Sequence, residues 1–158
     1  MEWWLMQIDV KLLDERVREW GFPAYGSEMA AGLDLFACLE APLLVEPQAA
    51  AVLISSGIAL HIADPDWCAL VYPRSGLGHK KGMVLGNGVG VIDADYQGPV
   101  YVSAWNRNPP GTPPVEIRPG ERIAQLVLTR VVRPRFRVVN DFAAESARRD
   151  GGFGSTGG

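Results

Sequence analysis

Lysine is scarce in this chain: Lys11, Lys80 and Lys81 are the only three among 158 residues, and the net charge is −3. A chain with so little excess positive charge does not carry the broad basic surface of a duplex nucleic-acid binder. No GxxxxGK[ST] run occurs, which excludes a Walker-type phosphate loop. Any phosphate held here must therefore be held by arginine, backbone N–H groups and hydroxyls. Cysteine is equally sparse. Cys38 and Cys68 stand 30 residues apart without a CxxC pair, so they read as small buried apolar residues and not as a disulfide or metal framework. That usage points to a reducing cytoplasm. No apolar run reaches the length of a membrane span. The start, MEWWLMQIDVKLL, has an acid at position 2, no basic n-region and no cleavage-site pattern, so it does not read as a signal peptide. The chain is expected to be cytoplasmic, with no membrane and no nucleic-acid partner. Internal repeats and long linkers are also missing, and helix signals are few. Only 14–21 and 75–82 suggest a turn or two, and glycines break the second.

What remains is strand. Twelve prolines and eighteen glycines punctuate short runs rich in Val, Ile, Leu and aromatics. The runs 52–62, 67–73, 100–106 and 122–132 read as strands. In 100–106, Val100, Val102 and Ala104 alternate with Tyr101, Ser103 and Trp105, the period of a half-buried strand. Short strands at this spacing predict an all-β fold, a jelly-roll-like barrel or sandwich, in one domain. Arg133, Arg135 and Arg137 fall at period two, on one face of an expected strand.

Glycine-bounded polar clusters interrupt the strands at five places: 31–37, 73–78, 86–100, 120–127 and the tail, RRDGGFGSTGG at 148–158. Asp34, between Leu33 and Leu35, either faces solvent or is an inward functional acid. Arg74-Ser75-Gly76 is either a plain turn or a guanidinium fork, hydroxyl and open backbone suited to phosphate oxygens. Gln125 is a polar residue on a strand, and when buried it needs hydrogen-bond partners. The run 89–102 looks like a β-hairpin with Asp93, Asp95 and Tyr96 near its bend. There an acid is either an ordinary Asx cap of the turn or, with Val91 and Ile92 setting an apolar wall beside it, a carboxylate able to orient a water for attack. The tail reads by composition as a mobile segment.

In this order and spacing, the five clusters resemble the five motifs of the trimeric dUTP pyrophosphatases (dUTPases), and bacterial members most closely. The resemblance runs from about residue 8 to the end. It implies a jelly-roll-like β barrel over 1–147 with a flexible glycine-rich lid at 148–158. It also implies a homotrimer whose active sites are shared between chains, and hydrolysis of dUTP to dUMP and pyrophosphate. That reaction limits uracil incorporation into DNA and supplies dUMP for thymidylate. Carried onto this chain, the resemblance makes Asp93 the residue that holds the attacking water. It gives Arg74, Ser75, Gly76 and Gln125 to the phosphates. It gives Asn87, Gly90, Val91 and Ile92 to the uracil edge, and Tyr96 to the deoxyribose. It sets Phe153 over the base, with Gly154, Ser155, Thr156 and Arg148 on the phosphates; Arg149 stands where the family usually has glycine. It implies Mg²⁺ held by substrate phosphates and waters without direct protein ligands, with Asp34 bracing the site from a second layer. A dCTP deaminase of the same superfamily is opposed by the absence of Glu between residues 82 and 115 and by the complete glycine-rich tail. A nucleotide-binding regulator would show a lost catalytic acid, a missing lid or an insertion, and none is present.

Overall fold

The computed structural model describes residues 6–143. They are almost entirely β. The strands are β1 (Asp9–Leu12), β2 (Leu33–Phe36), β3 (Leu43–Val45), β4 (Val52–His61), β5 (Trp67–Pro73), β6 (Met83–Leu85), β7 (Gly90–Ile92), β8 (Pro99–Asn106), β9 (Val115–Ile117) and β10 (Arg122–Arg130). One helical turn, α1 (Arg16–Glu19), follows β1, and a π-helical turn covers Leu77–Lys81. The ladders build two four-stranded sheets, ordered β1-β4-β8-β6 and β2-β10-β5-β7, and a β3-β9 ribbon. All the ladders are antiparallel.

The pleat sorts the side chains. Along β8, Val100, Val102 and Ala104 are buried while Tyr101 is half-exposed. Those inward residues meet Ile54, Ile58 and Leu60 of β4, and Leu35, Ala69, Val71, Ile123 and Leu126 of the other sheet, in one apolar core. Two polar side chains in that core are satisfied. Ser56 Oγ donates to Val100 O at 2.7 Å, and Asn106 Nδ2 donates to Val45 O at 2.9 Å. Strand β4 is kinked where its register against β8 shifts between Ser55 and Ala59. Gly57 sits in that bulge at φ +73°, and its carbonyl accepts from Leu13 N at 2.8 Å and Asp14 N at 3.2 Å, holding the chain as it leaves β1.

An ionic clamp closes the same corner. The Arg16 guanidinium lies 2.6 Å from both Asp14 Oδ2 and Glu40 Oε1, and the Cys38 thiol donates to Asp14 Oδ2 at 3.0 Å. Hydrogen bonds from Arg16 and from the Cys38 thiol hold the Asp14 carboxyl well below the usual carboxylate range. Burial first, then the bond to Asp14, pushes the Cys38 thiol up to about 11. Both cysteines are free; Cys68 is buried, as expected, while Cys38 is only partly so.

Three expectations are corrected. The segment 89–102 is not a β-hairpin: β7 pairs with β5 and β8 pairs with β4 and β6, so the bend at 93–98 crosses from one sheet to the other. Strand β10 stops at Arg130, short of residue 132. Arg133, Arg135 and Arg137 lie on no ladder; the segment from 131 to 143 is exposed apart from Val131 and forms no strand.

Gly57→Ala should destabilise the chain by about 2–4 kcal/mol. The left-handed backbone disfavours any Cβ, and one here would overlap the Val17 side chain; the urea unfolding midpoint measures this. In a Cys68→Ser background, alkylation of Cys38 should stay slow through pH 9 and rise only toward pH 11, because the reactive thiolate forms only as pH approaches the raised value.

Candidate active site

Strand β10 lies between β2 and β5, and its register sets Gln125 opposite Asp34 on one side and opposite Tyr72 on the other. Directly paired residues in a sheet project from the same face, so these three side chains form a row. Their neighbours Leu35, Ala124, Leu126 and Val71 are buried, which turns the row away from the core. Arg74 follows the end of β5 and returns to the row, its Nε 3.0 Å from Asp34 Oδ1. Arg122 reaches the other oxygen, Nη1 to Oδ2 at 3.3 Å, and Arg74 Nη1 donates to Arg122 O at 3.4 Å. Asp34 therefore separates two guanidinium groups and keeps both from folding away. Its side chain is 15% exposed. Oδ1 is buried and no hydrogen bond is aligned on it, although Arg74 sits at ion-pair distance. A buried acceptor left in that state is a place where a water or ligand donor would be stabilised. Ser75 and Gly76 are exposed beside this row. A Cβ at Gly76 would meet nothing within 4 Å, so nothing in the chain's own packing demands glycine there.

A second group forms where β7 and β8 diverge into different sheets. The gap is a cavity of about 240 Å³ lined by Asn87, Gly90, Val91, Ile92, Asp93 and Tyr96, with Val71, Pro99, Val100 and Tyr101 closing it. Gly90 is tight against β5, since a Cβ there would stand 3.1 Å from Val71 Cβ. Gly88, at φ +74°, turns the chain ahead of it. Asp93 and Tyr96 share one turn, with Tyr96 N donating to Asp93 O at 3.2 Å. Ala94 between them is buried, while the Asp93 and Tyr96 side chains are exposed. The Tyr96 hydroxyl donates to Pro99 O at 3.0 Å, which draws the ring across Gly98. A Cβ on Gly98 would lie 2.5 Å from the Tyr96 hydroxyl oxygen.

The structure thus gathers the expected residues into two groups and does not merge them. Asp34, Arg74 and Gln125 lie together on the β2-β10-β5 face, with Ser75 and Gly76 beside them. Asn87, Gly90, Val91, Ile92, Asp93 and Tyr96 surround the cavity, and no residue of the first group lines it. Arg148, Phe153, Gly154, Ser155 and Thr156 lie outside the described residues. Two residues escaped the sequence reading. Arg122 is one of five consecutive residues in GERIA that gave no sign which of them turns toward Asp34. Gly98 looked like ordinary turn punctuation.

Among the described residues, no cluster of three or more His, Cys, Asp or Glu side chains could hold a metal ion, and no helix is long and apolar enough to cross a membrane.

A dUTPase family model matches residues 18–157. The deoxyuridine 5'-triphosphate nucleotidohydrolase of Xanthomonas oryzae pv. oryzae is 56% identical over 151 residues, 95% of this chain and 94% of that one. The protein of the same name from Burkholderia lata is 53% identical over 152 residues, 96% of this chain and 99% of its own. Among solved structures, the Staphylococcus bacteriophage 80alpha dUTPase with dUpNHpp superposes with a TM-score of 0.79 at 26% identity, covering 96% of this chain and 98% of the phage chain. With its two-sheet fold, its five motif clusters and these matches over nearly its whole length, the chain belongs to the dUTPase family.

Proposed function

We infer that this protein hydrolyses dUTP to dUMP and pyrophosphate, and that its two residue groups are the two halves of one active site. The observation that carries this reading is Asp93, exposed among the residues that line a cavity of about 240 Å³. Backbone groups from Asn87 to Ile92 pair with the uracil edge, with the Asn87 side chain among them. A site built to hydrogen-bond one base edge discriminates strongly, because the wrong base leaves buried polar groups unpaired. The Tyr96 ring, held across Gly98, lies under the deoxyribose and leaves no room for a 2′-hydroxyl. The Asp93 carboxylate accepts a proton from a water directed at the α-phosphorus. The bond from that phosphorus to its bridging oxygen breaks, and pyrophosphate departs in line.

Arg74, Ser75 and Gln125 receive the triphosphate, and Gly76 leaves the approach open. The donor set fits a divalent cation that arrives on the substrate. It has no ligand cluster among the described residues, but one buried carboxylate oxygen, Asp34 Oδ1, lacks an aligned donor. Mg²⁺ held by substrate phosphates and waters would neutralise charge developing on the leaving group, and Asp34 would brace it from a second layer. Phe153 closes over the base, and Arg148, Gly154, Ser155 and Thr156 meet the phosphates, so 148–158 serves as the lid of a barrel formed by 1–147.

Two features support a homotrimer of jelly-roll-like barrels. Asp34, Arg74 and Gln125 do not line the cavity that holds Asp93 on the same chain, and a neighbouring copy would bring the two groups together. Residues 131–143 also expose Phe136, Val138 and Phe142, each at least 90% accessible, an apolar load that an isolated chain leaves in water. A cytoplasmic location suits this substrate and the free thiols.

A pyrophosphate-release assay across the common nucleoside triphosphates, with and without Mg²⁺, tests the reading; turnover should be confined to dUTP. Asp93→Asn should reduce kcat by about 10²–10⁴-fold and leave the Kd of a non-hydrolysable dUTP analogue nearly unchanged, because only the water's orienting base is lost. Deleting 148–158 should lower turnover sharply while sedimentation still reports a trimer; dissociation would make the segment structural instead.

A further inference from the structure

The π-helical turn Leu77–Lys81 directly follows Arg74-Ser75-Gly76. Turns of this kind are rare and expose carbonyls at their C-terminal end that need donors. Gly78 N donates to Arg74 O at 2.8 Å, so the turn and the arginine move together. Both ends of the turn are held by two consecutive residues just beyond β8. Asn108 Nδ2 donates to Lys81 O at 2.8 Å, Arg107 Nη2 donates to Gly78 O at 3.3 Å, and Arg107 N donates to Gly82 O at 2.9 Å. Two carbonyls of the turn and that of Gly82 just past it are thereby satisfied from one place.

That place is itself anchored in the core. Asn106 is fully buried, and while its Nδ2 bonds Val45 O, its Oδ1 accepts from Asn108 N at 3.0 Å. Gln48 Nε2 donates to Arg107 O at 2.7 Å. Gly82, at φ +78°, ends the turn, and any Cβ there would overlap the Asn108 amide. Glycine at 82 and asparagine at 108 are fitted to each other.

We propose that Asn108, supported by Arg107, is a positioning residue for the triphosphate. Its amide holds the carbonyl end of the π turn and so sets where Arg74 and Ser75 point. Asn108 does not touch the uracil cavity, so its effect falls on phosphate recognition alone. The inference rests on the assignment of Arg74 and Ser75 to the phosphates.

The test measures binding to the full-length protein of two probes with Mg²⁺ present: a non-hydrolysable dUTP analogue, and deoxyuridine, which has no phosphate. Asn108→Ala should weaken the analogue about five-fold, the worth of one ordinary hydrogen bond, and leave deoxyuridine unchanged. Asn108→Asp keeps the size but loses the donor, so it should weaken the analogue equally. Gly82→Ala, which expels the amide from the other side, should do the same and guards against a folding failure of the first variant. Restored analogue affinity in Asn108→Asp would make the residue mere packing and overturn the proposal. Equal weakening of both probes, or no change in either, would overturn it too. Arg74→Ala is the control: if it binds the analogue normally, the phosphate assignment itself is wrong, a failure distinct from that of the Asn108 inference.

Discussion

Much of this molecule depends on one ladder. Strand β10 is paired along both edges, with β2 and with β5, so it cannot slide without breaking two sets of backbone bonds. A slip of one residue would carry Gln125 into the core and Leu126 out of it. The burial of Ile123, Ala124 and Leu126 opposes that slip, and the same burial sets Asp34, Gln125 and Tyr72 in a row. The bulge between Arg122 and Ala124 then lets the Arg122 side chain turn back toward Asp34. Core packing and site assembly are thus one constraint seen from two faces of a sheet.

The charges on that outer face are arranged around a single carboxylate. Asp34 is mostly shielded and sits between Arg74 and Arg122. Without it, two guanidinium groups close together on one surface would repel and swing into solvent. With it, they are spaced and aimed before any anion arrives, which lowers the ordering cost of binding. The π turn behind Arg74 serves the same end through backbone bonds. The position of Arg74 therefore rests on two restraints, one ionic at the surface and one anchored through Asn106 in the core.

The cavity beside Asp93 uses a different device. It exists because β7 and β8, adjacent in sequence, join different sheets. Where two sheets part, backbone donors and acceptors are left without ladder partners, and they become available to a ligand that matches them. A true hairpin would have paired those groups internally. Glycines at 88, 90 and 98 bring the chain through that gap with little side chain to fill it.

Much was legible from residue order alone. Strand runs followed the alternation of apolar and polar residues, because a pleat shows its two faces at period two. The site residues were legible as clusters because glycine and aspartate interrupt such runs for few structural reasons, and because their order resembles one family. Sequence spacing did not reveal that the bend after Ile92 crosses between sheets, since local pattern carries no information about which partner a strand finds. Nor did it show that Arg122, not only Arg74, faces Asp34, because a one-residue bulge decides which way that side chain turns. Composition and periodicity determined the elements and the candidate chemistry; long-range pairing alone decided which residues met, because only the ladders set Gln125 beside Asp34 and Tyr72.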